Sequence, residues 1–342
     1  MEFENQTPYA AHLFRGVVDE ETLLAVAVCR LGCLVRHGKL EPQDIQEQVR
    51  TAPAESPAGP LPPDDAPLKP GVDVVVLGQA VAPGGRAVRE LAVALEVGPH
   101  QRQLRVVGNR TWRVRPGVDL QQAVERSRAG DHDLEALVAT RPEPFETMPL
   151  TWSLAFGGQA GTAQGPLPYT ANPEGLGYQV ELDHAVGAPL PNLEDPEHPV
   201  QHWRDWVDPV CLAPLPPGSS LRLTRGVKPD LETMEIEILP EYFLVAPTGQ
   251  CHAAVPAGCP ITVHGMHADG PLSFEVPELP ARVKVAVGAD RLELPCTLDT
   301  IEIWPNDRRV SFVMRAAFRY PFRREETRTA QLVLDPTAGR GS

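Results

Sequence analysis

From Pro144 to Pro196 the chain is written almost wholly in turn-forming residues: PFETMPLTWSLAFGG, then NPEGLGY, then APLPNLEDP. Glycine permits backbone angles that other residues avoid and proline fixes φ, so neither a helix nor a long strand can run through this stretch. A segment of this length without periodicity is either disordered or functional. Disordered chains lack the apolar groups to bury, whereas Phe145, Trp152, Phe156 and Tyr178 recur here at short intervals. The stretch is therefore expected to be an ordered surface loop resting on regular structure elsewhere, and suited to gripping a partner more than to performing chemistry.

The same residue types set the fold class. The 342 residues include 28 glycines and 38 prolines, roughly a fifth of the chain against an average near ~12%. That excess fits short strands joined by tight turns and argues against a helical bundle. The length suggests one large β domain or two smaller ones, and a hydrophobic fraction of 42% is compatible with a real core. Thr22 to Leu40 reads as a long strand ending in a turn at His37-Gly38. Thr51 to Pro70, rich in proline, alanine and acids, reads as a linker or a surface strap. Val72–Ala82, Ala87–Val97 and Gln103–Arg113, separated by Pro83-Gly84-Gly85 and Gly98-Pro99, predict a three-strand antiparallel meander.

Between Val118 and Ala139 the pattern turns helical. Asp119 would cap a short helix carrying Leu120, Ala123 and Val124, and Asp131 a second carrying Leu134, Leu137 and Val138. After the loop region, strands are expected at Ser220–Arg225, Thr233–Leu239, Tyr242–Ala246, Ile261–His264, Leu272–Val276, Arg282–Val287, Arg291–Leu298, Thr300–Trp304 and Arg309–Tyr320. The polar residues 323–342 read as a fraying tail. The expectation is a mainly β protein, an antiparallel sandwich or barrel-like architecture with long Gly/Pro-rich loops and one or two short helices. Residues 1–217 would form an N-terminal β region containing the strap at 51–70 and the loop segment. Residues 218–322 would form a C-terminal β region, and the two could be continuous.

Charge and cysteine usage narrow the function. With 31 basic and 45 acidic residues the net charge is −14, which repels phosphate backbones and argues against a nucleic-acid partner. No run approaches the ~18 apolar residues of a membrane helix. The opening MEFENQTPYA carries acids where a signal peptide carries lysines, so a cytoplasmic location is expected. Six cysteines are too sparse for a disulfide scaffold. Cys29 and Cys33, four apart in a strand, lie ~13 Å apart, beyond the span of a bridge.

Cys251, Cys259, His264 and His267 are of types that suit zinc, but their spacing matches no usual finger or ribbon, and coincidence is the plainer reading. No nucleophile elbow, zincin motif or phosphate loop occurs. The loop carboxylates Asp205 and Asp208, or Glu194 and Asp195, could serve a hydrolase, though an acidic chain supplies such pairs by chance. Trp112, Trp152, Trp203 and Trp206 lie in or beside loops, and interface hot spots favour tryptophan; the plain alternative is that they anchor loops to the sheet.

Six motifs in order, KPGVDVVVLGQAVAPGG, LRVVGNRTW, PFETMPLTWSLAFGG, NPEGLGY, APLPNLEDP and LDTIEIWPNDRRVSFVMRAAF, resemble a bacterial family labelled a domain of unknown function. Its genes sit in type VI secretion clusters beside those for the VgrG spike, the PAAR tip and toxic effectors. The resemblance runs from about Asn5 to about Tyr320 and implies a non-enzymatic adaptor or chaperone that loads a PAAR-containing effector onto VgrG, with no cofactor. Matching positions include Lys69, Asp73, Arg110, Met148, Ala155, Pro191 and the Asp299-Thr300 pair. The residues expected to bind the partner are Trp112, Phe145, Trp152, Phe156, Gly157, Gly158, Asn172, Pro173, Gly175, Gly177, Tyr178, Asn192 and Glu194. The rival readings are a loop-based hydrolase, a zinc-binding enzyme, or a structural part of the secreted spike.

Overall fold

A computed structural model describes residues 1–131, 135–230, 235–322 and 327–335. Its spine is the pair of long antiparallel strands Thr22–Arg36 and Arg309–Pro321. The first turns back at His37-Gly38, both with positive φ, and Lys39–Pro42 folds onto it as expected. The full sheet runs Ala10–Val17, Thr22–Arg36, Arg309–Pro321, Thr297–Trp304, Val72–Val76, Cys251–His252. Only the contact between Thr297–Trp304 and Val72–Val76 is parallel.

A second, wholly antiparallel sheet runs Leu193–Glu194, His100–Val107, Glu90–Val97, Pro260–His264, Leu272–Glu275. Alternate residues of the two sheets share one apolar core: Ala25, Ala27, Cys29, Leu31 and Phe312 from the first, Val93, Leu95, Leu104, Val106 and Phe274 from the second. Phe274 meets Phe312 edge-on at 6.4 Å between centroids. This is the period-2 burial of a sandwich. Strands from before and after residue 217 lie side by side within each sheet. A smaller sheet, Glu2–Asn5, Arg328–Leu334, Ala281–Val287, Asp290–Pro295, adds Val283, Val285 and Leu332 to the same core. The fold is mainly β, and neither main sheet closes into a barrel.

Five local expectations fail for identifiable reasons. The meander is split, because Val72–Val76 lies in the first sheet and the other two strands in the second. All five of its residues are buried, the signature of a central strand covered on both faces, where a meander strand would alternate. Asp119 does cap a helix, Leu120–Arg128, accepting from the Gln122 N–H at 3.1 Å. The second predicted helix fails: Leu137–Ala139 is a strand paired with Trp112–Val114, and Leu134 lies outside the described residues.

Ser220–Gly226 is a helix, since Leu221 and Leu223 mimic a two-residue period over a window too short to distinguish the two. In place of the strand expected at Tyr242–Ala246, Tyr242 and Phe243 end the 3₁₀ turn Pro240–Phe243, and 244–246 form no strand. Of the expected strand at Thr233–Leu239, Ile236–Ile238 is formed, while Thr233 lies outside the described residues. The supposed tail contains the strand Arg328–Leu334, whose Ala330 and Leu332 face the core.

The proline-rich segment is a strap over the outer face of the first sheet, where Val49 packs on Val26, Val28 and Val313. A buried ion network pins it there. Arg30, 1% exposed, donates to Glu302 at 2.6 Å, Asp64 at 3.0 Å and Glu47 at 3.1 Å. Arg50 joins Asp64 at 2.7 Å and Glu302 at 2.5 Å. Gln46 reads the backbone of Gly32, accepting from its N–H at 2.6 Å and donating to its carbonyl at 3.2 Å. A Cβ on Gly32 would press on Gln43 Oε1 at 2.6 Å, so glycine here permits the close approach.

Candidate protein-binding surface

The loop segment is tied to the second sheet by charge. Leu193–Glu194 pairs with His100–Val107, and the buried Glu194 carboxylate accepts from Arg110 at 2.6 Å and Arg105 at 3.1 Å. Arg110 also donates to the Pro191 carbonyl at 3.0 Å. Where ladder bonds are missing, side-chain amides replace them. Asn192 donates to the Val107 carbonyl at 2.9 Å, and Asn172 donates to the carbonyls of Trp152 at 2.8 Å and Phe156 at 3.0 Å. Trp152 turns into the main core and donates to the carbonyls of Pro214 at 2.8 Å and Ala213 at 3.2 Å.

The glycines allow the loop strands to stack backbone on backbone. Phe156–Gly157 forms a short parallel pair with Leu176–Gly177. Gly157 has φ 145°, and a Cβ there would run into the Asn172 carbonyl. The aromatic side chains fill a second small core: Trp112, Phe156, Tyr178, Leu182, Leu190 and Trp203. The rings run in series, Phe156 to the half-buried Tyr169 at 5.2 Å, Tyr169 to Tyr178 at 5.1 Å, and Tyr178 to the exposed Trp206 at 5.7 Å. Burial raises the Tyr169 phenol, with Asp208 adding to the shift.

Of the residues expected to meet a partner, Trp112, Phe145, Trp152, Phe156, Gly157, Gly158, Asn172, Gly175, Gly177, Tyr178, Asn192 and Glu194 are buried. Only Pro173 is exposed. The structure brings most of them together, but as the skeleton of the loop layer: they hold its shape and present other residues. The exposed member of the aromatic series is Trp206, 62% accessible at its end. Its signal in the sequence is its company, RDWVD, an aromatic flanked by three charges.

The layer is also lopsided in charge. Residues 144–217 contain nine carboxylates, one arginine and no lysine. All but Glu194 are exposed or half-buried. Asp205 is not free for acid–base chemistry with Asp208, because it accepts the Gln201 and His202 N–H groups, both at 2.7 Å.

The four zinc-type residues are not brought together. Cys251 donates to Asp73 at 3.3 Å, His264 lies 3.3 Å from Glu96, His267 Nε2 accepts from Arg308 at 3.1 Å, and the Cys259 thiol lies against Gly98. Among the described residues the one cluster able to hold a metal is Glu181, Asp183 and His184, at the surface.

The family model described as an uncharacterized protein conserved in bacteria (DUF2169) matches residues 19–315. No curated protein and no solved structure matches the chain.

Proposed function

This chain belongs to the bacterial DUF2169 family, and we propose that it is a binding protein, an adaptor or chaperone for a secreted partner carrying a basic and apolar segment. The observation that carries this reading is Trp206, an exposed indole packed on the buried Tyr178 in a segment with eight exposed or half-buried carboxylates and one arginine. A large ring on a rigid mount loses little entropy on docking, and tryptophan dominates hot spots for that reason. The surrounding negative field would draw a cationic partner and raise the association rate at low salt.

The resemblance to adaptors encoded beside VgrG and PAAR genes supplies the partner class: a PAAR-containing effector, engaged in the cytoplasm before loading on the spike. The test is co-purification of this protein with such an effector encoded beside it, followed by titration of Trp206→Ala and of Glu197→Lys/Asp208→Lys, two exposed carboxylates. Loss of the aromatic is expected to weaken binding by about thirtyfold, the weight of a hot spot of ~2 kcal/mol. Charge reversal is expected to slow association at low salt and to matter little at high salt. A complex indifferent to both changes would sink the assignment of this surface; failure to capture any effector would sink the adaptor reading.

A further inference from the structure

A cavity of about 340 Å³ lies on the outer face of the first sheet, between the strap and the residues around the Ser220–Gly226 helix. Its walls are stiff and apolar, with Leu61, Pro62, Pro214, Phe243 and Val245 among them, and exposed Pro53, Asp65 and Pro217 stand at its rim. Four cations line it: Arg50, Lys69, Arg222 and Arg315. Three of them are neutralised by the protein. Arg50 meets Asp64 and Glu302, Arg315 meets Asp299, and Lys69 meets Asp73 at 2.8 Å. Asp64 and Glu302, which also line the space, are held by Arg30 as well.

Arg222 is different. It is 5% exposed, and among the described residues no carboxylate lies within ion-pairing distance of it. Its Nε and Nη2 both donate to the Tyr242 carbonyl, at 3.3 and 3.2 Å, and the guanidinium lies over the Tyr242 ring at 4.8 Å. That leaves both N–H groups of Nη1 without a hydrogen bond among the described residues. Burial pulls its pKa down, and the more distant charge of Asp73, already paired with Lys69, offsets that only in part. Lys69 adds a second donor: two of its three N–H groups go to Asp73 and to Thr300 at 2.7 Å, and the third has no partner there. A largely buried cation whose Nη1 has no partner while its other donors are engaged is a site a ligand anion would complete.

We propose that this cavity binds the carboxylate of a small, largely apolar ligand, with Arg222 Nη1 and the third N–H of Lys69 as its donors. Two donors on two cations match the two oxygens of a carboxylate, whereas a phosphate dianion would bring a third charged oxygen against apolar walls. The volume is near the lower end of ligand sites, ~300–1,000 Å³, with room for the last one or two residues of a chain or for a short organic acid. The site lies apart from Trp206 and does not depend on the adaptor reading.

The experiment titrates the full chain with N-acetyl-leucine, N-acetyl-phenylalanine and hexanoate, each against its own amide, by calorimetry. The acids are expected to bind saturably and the amides about tenfold or more weakly, the weight of one charge-assisted hydrogen bond. Arg222→Gln, which keeps a donor for Tyr242 and removes the charge, is expected to lose the acids to the same degree. Tighter binding of the N-acetyl amino acids identifies a chain terminus as the source; equal or tighter binding of hexanoate identifies a free acid. The proposal is overturned if acids and amides bind alike, if every acid has a Kd above ~10 mM, or if a folded Arg222→Gln protein binds the acids unchanged. The acid–amide comparison needs no variant, so it decides the matter even where Arg222→Gln does not fold.

Discussion

Replacing Glu302 by glutamine tests whether the strap is held by charge. Glu302 is 2% exposed and takes Arg30 at 2.6 Å and Arg50 at 2.5 and 3.1 Å. Burial pushes its carboxyl up, but the two guanidinium groups outweigh that and bring it from 4.5 down to about 2. At ~1.4 kcal/mol per pKa unit the ionised form contributes on the order of 3 kcal/mol to the folded state. Breaking a buried pair by removing one partner costs ~3–5 kcal/mol. The lower end applies here, since Arg30 keeps Asp64 and Glu47 and Arg50 keeps Asp64.

The sign of the pH dependence follows from the depressed folded-state value. The stabilisation is complete above the unfolded pKa near 4.5 and is lost as the pH falls through about 2. Urea unfolding of wild type and Glu302→Gln should therefore differ by about 3 kcal/mol at pH 7, and the difference should shrink between pH 4.5 and 2. Limited proteolysis, with cuts expected between Glu47 and Asp65, separates release of the strap from global unfolding. A difference below ~1 kcal/mol at pH 7, or one independent of pH, would refute the reasoning.

Two further outcomes follow from the same geometry. Gly157→Ala places a Cβ against the Asn172 carbonyl at a φ that side chains avoid; it should destabilise the protein by ~2–4 kcal/mol in thermal or urea unfolding, and a loss under ~0.5 kcal/mol would contradict the close stacking of the loop layer. Burial raises the Cys33 thiol to about 11 and those of Cys211 and Cys251 to about 12, while Cys259 is half-exposed and less shifted. A disulfide reagent at pH 8 should thus modify Cys259 first, with all six thiols reacting only after denaturation; rapid native modification of Cys251 would contradict its place behind Asp73.

The elements legible in the sequence were those whose own periodicity is their reason to exist. Thr22–Arg36 and its turn, the Glu90–Val97/His100–Val107 hairpin and the Asp119 cap all depend on residues close in the chain. What was illegible is set by distant partners. Val72–Val76 is a central strand because Thr297–Trp304 lies beside it, and Arg30 is buried because Glu302, 272 positions away, arrives on the neighbouring face. In the loop layer the sequence did reveal order, since its aromatics must be buried somewhere. Direction was marked only faintly: the charges beside Trp206 are the one local sign of its exposure, and nothing local marks Tyr178, one ring further in, as buried.

That distinction matters because the irregular parts of this protein are built to the same standard as its sheets. An irregular backbone leaves N–H and C=O groups without ladder partners, and each one buried unpaired costs ~1–3 kcal/mol. Here carboxamides supply the missing bonds: Gln46 on Gly32, Asn172 on Trp152 and Phe156, Asn192 on Val107, and Gln250 on Val74 and Leu212. Buried arginine–carboxylate pairs then fix the strap through Glu302 and the loop layer through Glu194. Changes at Phe156, Asn172 or Tyr178 therefore perturb fold and surface together. Trp206 is 62% exposed and meets the layer edge-on at Tyr178, so its loss disturbs the fold least and reads binding most directly.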